Sequence, residues 1–189
     1  MEYVPRFTKQ SRVPHAKLGL AMTALFILGL GLIASSSVDW FLLKRSLRNR
    51  FANLDWITTR ELSDWLGDKS RQPPILLDVR TAEEWNISRL PGARWIDPNA
   101  SAESATHGVT QNAPIVTYCA VGYRSAEMAQ RLRAAGFARI QNLEGSIFQW
   151  ANEHRPLVHE TAPVTRVHPY NAFWGRLLDD DVRAPLPRD

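Results

Sequence analysis

The pattern that most limits the fold is an alternation of short apolar runs with capped helical segments. "ILLDV" (75–79) and "IVTYC" (115–119) are rich in β-branched residues and bounded by turn residues, which is typical of strands buried on both faces of a sheet. "RWI" (94–96) and "ARIQNL" (138–143) predict two further strands. Helical segments separate these runs, so the pattern predicts an α/β fold with a central parallel sheet and helices on both faces.

The predicted helices begin and end at recognisable residues. Two threonine–glutamate pairs have the spacing of a capping box: Thr58 with Glu61, and Thr81 with Glu84. The alanine-rich segment 125–135 is followed by Gly136, a residue type common just after a helix. "SIFQWANEH" (146–154) predicts another helix before Pro156. Residues 99–114 are polar and weakly patterned, and we expect a loop there with at most one poor helix.

Composition and charge describe an ordinary folded protein with room for one domain plus appendages. The chain has 189 residues, 44% hydrophobic and 22% charged, and a net charge of +4. Much of the positive charge lies near the N-terminus, and the later sequence does not interleave aromatic with basic residues. We therefore expect no nucleic-acid partner.

Residues 18–38, "LGLAMTALFILGLGLIASSSV", contain no charged side chain. As a helix they would extend about 30 Å, the thickness of a bilayer's hydrocarbon core. They predict a single-pass membrane protein with lipid as a partner, held by a transmembrane helix or an uncleaved signal anchor. A signal peptide cleaved near Ala34 is the alternative. Basic residues flank the run on both sides (Arg6, Lys9, Arg12 and Lys17; Lys44, Arg45, Arg48 and Arg50), so the charge rule leaves the side of the membrane open.

Cys119 is the chain's single cysteine, and it stands where a predicted strand ends and a helix begins. One cysteine excludes an intramolecular disulfide. Ligands of open α/β sheets bind beyond the carboxyl ends of the strands. The six residues "CAVGYR" turn the chain tightly there, so backbone amides and the helix N-terminus can favour a nucleophilic thiolate. A buried structural cysteine is the alternative interpretation.

Three motifs resemble the rhodanese family of sulfurtransferases. "CAVGYRS" (119–125) is similar to the C-x-x-G-x-[RT]-[ST] pattern of single-domain rhodaneses. "LLDVRTAEEWNISRLPGA" (76–93) resembles D-V-R-x-x-x-E-[FYW]-x-x-G-H-I-P-G-A, and "LEGSIFQWANEHRPL" (143–157) resembles L-x-G-G-x-x-x-W-x-x-x-G-x-P-[VL]. Order and spacing agree across residues 54–158, so the resemblance implies a rhodanese-like domain over that range.

With that domain placed, we expect five parts in the chain. They are a basic tail (1–17), a transmembrane helix (18–38), a basic juxtamembrane linker (39–53), the rhodanese domain (54–158) and a C-terminal tail (159–189). The C-terminal tail contains "VHPYNAFWGRLL" (167–178), whose three aromatic residues predict packing on this domain or on a partner.

The chain departs from the family's pattern at a few positions. Ser88, Arg89 and Leu90 stand where Gly-His-Ile is common, Ser146 replaces the second glycine, and His154 replaces a further glycine. None of these departures is expected to touch the nucleophile. They predict altered loops or partner surfaces with the chemistry retained.

The resemblance implies a mechanism in two half-reactions. Cys119 takes sulfane sulfur from a small donor such as thiosulfate, becomes a persulfide, and passes the sulfur to an external thiol or cyanide, since no second cysteine can accept it. Related phosphatases and arsenate reductases have a longer loop between the cysteine and the arginine. In this chain only four residues separate Cys119 from Arg124. The candidate substrate-binding residues are Ala120, Val121, Gly122, Tyr123, Arg124 and Ser125.

Other candidate residues are expected to support the structure around the site. Asp78 and Arg80 are expected in the polar scaffold of the sheet, with Glu84 or Glu144 as partners. No cofactor is expected. No metal is expected either, because the histidines at 154, 159 and 168 do not have the spacing of metal ligands. A second function stays open beside the enzyme: a rhodanese-like binding module that recruits a partner protein to the membrane.

Overall fold

The computed structural model describes residues 39–186, and its centre is a five-stranded sheet. The strand order is β1-β5-β4-β2-β3, and every pair in this sheet is parallel. The strands are β1 (Asp55–Ile57), β2 (Ile75–Asp78), β3 (Arg94–Trp95), β4 (Ile115–Tyr118) and β5 (Ile140–Leu143). Asp78 pairs with Tyr118 across β2 and β4. The segments that follow these two strands therefore leave the sheet side by side.

The helices follow the predicted alternation with the strands. They are α1 (39–50), α2 (Thr59–Gly67), α3 (Ala82–Ile87), α4 (Ala102–Ala105), α5 (Tyr123–Ala134) and α6 (Ser146–Asn152). Both predicted capping boxes are present, at Thr58 and at Thr81. Helix α5 begins two residues earlier than predicted, because Gly122 adopts a left-handed conformation and the first turn starts inside the cysteine loop.

Apolar side chains fill both faces of the sheet, as the α/β prediction requires. On one face Leu76 and Val116 belong to a cluster with side chains of α2, α6 and the C-terminal segment. On the other face Leu77 and Ile115 pack with side chains of α1, α4 and α5. Neighbouring residues of one strand thus serve opposite cores, which explains why the strand sequences are continuously apolar.

The structure adds elements that the sequence patterns did not predict. Strand β1 has three residues, directly before the predicted helix α2, and pairs with β5. The segment expected to be a juxtamembrane linker forms helix α1, with Leu47 and Phe51 buried against the second core. Within residues 39–186, no helix combines the length and apolar character needed to cross a bilayer. The predicted transmembrane segment 18–38 lies outside the described residues.

The C-terminal segment packs on the domain itself. After an antiparallel hairpin of β6 (Leu157–His159) and β7 (Ala162–Val164), the chain forms a short 3-10 helix at Trp174–Leu177. Val167, Leu178 and Val182 are buried in the same cluster as α2 and α6. The described part of the tail is therefore a component of the folded domain.

Candidate active site

Cys119 lies at the carboxyl end of β4, where the sequence predicts a ligand site. The residue is 1% exposed, and its Sγ accepts a hydrogen bond from the Gly122 N–H at 3.2 Å. The carbonyls of Cys119 and Ala120 accept from the N–H groups of Ile147 and Phe148 at 3.2 and 3.1 Å. Helix α6 therefore holds the cysteine loop, and a loop amide faces the sulfur.

Gly122 closes this loop and caps helix α5. Its φ is +112°, a conformation that side-chain-bearing residues rarely adopt. The carbonyl of Gly122 accepts from Asn142 Nδ2 at 2.9 Å, and Asn142 Oδ1 accepts from Thr117 Oγ1 at 3.1 Å. Side chains from β4 and β5 thus fix the turn that brings the Gly122 amide to the sulfur.

Arg124 reaches from α5 to a carboxylate on α3. Its two terminal nitrogens donate to the two oxygens of Glu84 at 2.7 and 2.9 Å, and its side chain remains 22% exposed. Burial alone would lower the pKa of Arg124, but the hydrogen bonds to Glu84 and the nearby Cys119 raise it. Burial would raise the pKa of Glu84, and Arg124 lowers it below its ordinary value. The cation at the loop is therefore permanently charged and already paired.

Ser146 corrects one sequence expectation. This departure from the family's glycine was expected to leave the nucleophile untouched, yet its Oγ accepts the backbone N–H of Cys119 at 3.2 Å. The same hydroxyl donates to the carbonyl of Leu143 at 3.1 Å. Ser146 keeps a glycine-like φ of +50°. The serine therefore adds a tie between the start of α6 and the cysteine loop.

The departure at 88–90 also lies inside the protein. Ser88 and Leu90 are buried, and the Leu90 N–H donates to the hydroxyl of Tyr118 at 3.2 Å. Arg89 exchanges backbone hydrogen bonds with Val158 at the start of the hairpin. The expectation of an altered partner surface is therefore wrong for Ser88 and Leu90, because both face the interior.

Asp78 and Arg80 form a fully buried ion pair below the site. Arg80 donates to the two carboxylate oxygens of Asp78 at 2.8 and 2.6 Å, and to the carbonyls of Glu84 and Ser88 at 3.2 and 2.5 Å. The hydrogen bond from Arg80 to Glu84 is accepted by the backbone carbonyl, while the Glu84 carboxylate pairs with Arg124. The pair thus ties the end of β2 to α3, the helix that carries Glu84.

The other carboxylate expected beside Arg80 lies elsewhere. The side chain of Glu144 accepts two hydrogen bonds from Arg48 of α1, at 2.9 and 3.1 Å. Arg48 was counted among the basic residues that flank the apolar segment. In the structure this cation joins α1 to the residue that follows β5.

A small pocket of about 150 Å³ opens above the cysteine. Four of the predicted substrate-binding residues line it together with Cys119: Ala120, Val121, Tyr123 and Arg124. Gly122 and Ser125 are not among the lining residues; Gly122 contacts the sulfur through its amide, and Ser125 is buried in α5. A larger cleft of about 510 Å³ lies along β1 and contains no residue of the cysteine loop.

Two lining residues come from the C-terminal segment and were not predicted. Tyr170 and Trp174 close one side of the pocket, and the ring centre of Tyr170 lies 4.8 Å from the Arg124 guanidinium carbon. The only sequence signal was the aromatic content of residues 167–178. Their position against Cys119 depends on how the tail packs, so no local pattern could assign them to the site.

Comparison with known proteins identifies the family. The model of the rhodanese-like domain matches residues 58–153, which is about half of the chain. The chain belongs to the rhodanese-like domain family. Every element from α2 to α6, including the cysteine loop, lies within the matched range of this rhodanese-like domain. The segment that supplies Tyr170 and Trp174 lies outside it.

Named relatives of the rhodanese-like domain include sulfurtransferases. A probable adenylyltransferase/sulfurtransferase, MoeZ of Mycobacterium tuberculosis, is 38% identical over 101 residues, 53% of this chain but only 25% of that protein. A sulfurtransferase of Allochromatium vinosum is 29% identical over 102 residues, 54% of this chain and 92% of that protein. The chain thus spans a quarter of the first relative and nearly all of the second.

A solved structure shares the fold over a longer stretch. The BH2092 protein of Bacillus halodurans superposes with a TM-score of 0.56 at 24% sequence identity. The match covers 70% of this chain and 97% of that protein. At this identity the likeness concerns the fold alone.

Proposed function

We propose that this protein is a rhodanese-type sulfurtransferase that carries sulfane sulfur on Cys119. The observation that carries the proposal is the hydrogen bond from the Gly122 amide to Cys119 Sγ, in a loop that opens helix α5. Amide donors and a helix N-terminus favour negative charge on the sulfur atoms bound there. The sulfurtransferase names of two relatives support the same chemistry.

The proposed reaction balances without a cofactor. The Cys119 thiolate attacks the sulfane sulfur of a donor such as thiosulfate, the sulfur–sulfur bond of the donor breaks, and sulfite leaves with the electron pair. The resulting persulfide then gives its outer sulfur to cyanide or to an external thiolate, and the Cys119 thiolate is regenerated. Ala120, Val121, Tyr123 and Arg124 form the substrate pocket in this scheme, Gly122 stabilises the sulfur, and Ser125 supports the loop from within α5.

Intact-mass spectrometry of the full chain tests the proposal. After incubation with thiosulfate, the chain should gain one sulfur atom and lose it again when cyanide is added. Cys119→Ser keeps the size of the side chain and should gain nothing, with circular dichroism confirming that it is folded. A folded, reduced protein that gains no sulfur from thiosulfate or other sulfane donors would contradict the enzyme and leave the binding module as the leading function.

We also propose attachment to a membrane through residues 18–38. Support comes from the uncharged run in the sequence and from the start of α1, where Phe41 and Leu42 are 62% and 55% exposed beside Lys44 and Arg45. Exposed apolar side chains next to cations suit the interface between lipid and water. Carbonate extraction of membranes carrying the full chain should leave it in the pellet, and release into the supernatant would contradict a span.

A further inference from the structure

We propose that Tyr170 and Trp174, here called the aromatic wall, make the pocket selective for a sulfane donor that bears an apolar group and a single negative charge. The inference rests on the proposed sulfurtransferase function and names the substrate class of the same site. Both residues lie outside the matched family range, on the C-terminal segment. They therefore lie beyond the part of the chain that the family model describes.

The aromatic wall is held in place by the fold. Asn152 of α6 donates its Nδ2 to the carbonyl of Leu177 at 2.8 Å, and its Oδ1 accepts from the Asp179 N–H at 3.0 Å. Asn171 Oδ1 accepts the N–H of Trp174 at 3.0 Å. Leu178, next to these contacts, is buried, so the segment is anchored to the domain although the Tyr170 side chain is partly exposed.

Tyr170 adopts a strained backbone conformation. Its φ is +64°, in the left-handed region that a tyrosine rarely adopts. Its N–H donates to His168 Nδ1 at 3.0 Å, and its ring lies over the Arg124 guanidinium. The strained turn thus orients an aromatic face beside the guanidinium of Arg124.

The charges around the pocket favour a donor with few negative charges. Among the described residues that line the pocket, Arg124 is the only cation, and two of its N–H groups already donate to Glu84. The Cys119 thiolate adds a negative charge at the base. A thiosulfate dianion therefore meets no unpaired cation among these residues, whereas a monoanion faces less repulsion.

The shape and lining of the pocket favour an apolar group. Ala120 and Val121 line the pocket together with the cysteine, and the rings of Tyr123, Tyr170 and Trp174 supply flat apolar surface. An apolar cavity of about 150 Å³ is large enough for a benzene-sized group. Aromatic rings gain from edge or offset contacts with a second ring. An aryl or alkyl thiosulfonate combines such a group with one negative charge.

The reaction with a thiosulfonate balances in the same way. The Cys119 thiolate attacks the sulfane sulfur, the bond between that sulfur and the sulfonyl sulfur breaks, and a sulfinate leaves with the electron pair. The products are the Cys119 persulfide and the sulfinate, so the two negative charges of the reactants are conserved. The leaving sulfinate keeps its apolar group against the aromatic wall until it departs.

Persulfide loading of the full chain with three donors tests the selectivity. Thiosulfate, methanethiosulfonate and benzenethiosulfonate separate the effect of charge from that of the apolar group. The second-order rate constant for loading Cys119 is divided, for each donor, by the rate constant of the same donor with a free low-molecular-weight thiol. This division corrects for the intrinsic reactivity of the donor. We expect this corrected constant to rise by about tenfold at each step from thiosulfate to benzenethiosulfonate. Equal corrected constants would overturn the inference.

Variants assign the selectivity to the aromatic wall. Tyr170→Leu and Trp174→Leu should each lower the preference for benzenethiosulfonate over methanethiosulfonate by about fivefold, and Tyr170→Phe should keep it. Phe41→Leu is the matched control, because Phe41 of α1 is an aromatic residue that is 62% exposed and does not line the pocket. A preference that is unchanged in both leucine variants, or lost equally in Phe41→Leu, would overturn the assignment.

Binding separates failure of the inference from failure of the proposed function. If no donor loads Cys119, the sulfurtransferase proposal is wrong whatever the pocket selects. Calorimetry with benzenesulfinate on Cys119→Ser then measures the pocket without chemistry. Binding that weakens severalfold when Trp174→Leu is added supports an apolar ligand at the aromatic wall, and the absence of binding overturns the inference.

Discussion

The hydroxyl of Ser146 accepts the backbone N–H of Cys119, so the first residue of helix α6 supports the start of the cysteine loop. The N–H and the hydroxyl are both buried, and the serine holds a φ of +50° to make the contact. The family's glycine at this position has the conformational freedom but no acceptor. Compared with glycine, serine at this position therefore costs backbone strain and adds a hydrogen bond at the site.

Substitution of Ser146 should reveal both sides of this exchange. Ser146→Ala should lower the free energy of unfolding by about 1–3 kcal/mol, because the buried Cys119 N–H loses its acceptor. Ser146→Gly loses the same acceptor but relieves the left-handed φ, so it should be about 1 kcal/mol more stable than Ser146→Ala. Urea unfolding measures both. An alanine variant as stable as the unaltered chain would show that the hydrogen bond contributes nothing.

Gly122→Ala should impair both stability and sulfur loading. An added Cβ would make only ordinary contacts, the nearest with Leu47 at 3.5 Å, so the cost of about 1–3 kcal/mol comes from the φ of +112°. The Gly122 amide would also move away from Cys119 Sγ. Gly108→Ala is the control, because Gly108 has a φ of +74°, open space around it and no part in the loop. It should lose stability in urea yet load sulfur normally; equal loading defects in both variants would contradict this explanation.

The Glu84–Arg124 pair should give stability a defined pH dependence. Because the folded protein holds the pKa of Glu84 below its ordinary value of 4.5, the pair stabilises the fold above that value. The contribution is lost as the pH falls through the lower, folded-state pKa. Glu84→Gln should thus be less stable than the unaltered chain by about 3 kcal/mol at pH 7, and the difference should shrink below about pH 4.5.

Urea unfolding at several pH values measures the two curves for Glu84. Thr81 caps the same helix, α3, without contacting Arg124, so Thr81→Ala is a suitable control. The loss of stability in Thr81→Ala should reflect only the hydrogen bond between the Thr81 side chain and Glu84, because this substitution leaves the Glu84–Arg124 ion pair in place. A Glu84→Gln difference that stays constant down to pH 3 would contradict the role assigned to the pair.

Breaking the buried Asp78–Arg80 pair should be strongly destabilising. Asp78→Asn leaves the guanidinium of Arg80 buried without its counter-charge and should lower the free energy of unfolding by about 3–5 kcal/mol. Asp64→Asn removes a carboxylate from the exposed pair with Arg60, 4.0 Å apart, and should change stability very little. Thermal and urea unfolding compare the two. Similar losses in both variants would show that burial does not set the worth of the Asp78–Arg80 pair.

Local sequence patterns predicted most of the domain's secondary structure. The strands predicted at 75–79 and 115–119 are found at 75–78 and 115–118. Both capping boxes and the position of Cys119 at a strand end were also predicted correctly, because each depends on residues a few positions apart. Strand β1 was missed since three residues show no periodicity, and only pairing with β5 makes them a strand. Helix α1 was taken for a linker, because the core that buries Leu47 and the carboxylate of Glu144 that pairs with Arg48 come from segments far away in the sequence.

The sequence by itself determined the α/β architecture, and it predicted Cys119 as the nucleophile together with the residues of the loop around it. Periodicity, capping and turn chemistry act over short stretches, so they can be recognised without knowing which segments meet. Only the tertiary structure decided that Glu84 pairs with Arg124, that Ser146 supports Cys119, and that Tyr170 and Trp174 close the pocket. These contacts join segments that are distant along the chain, and their geometry exists only once the sheet, α6 and the C-terminal segment have packed together.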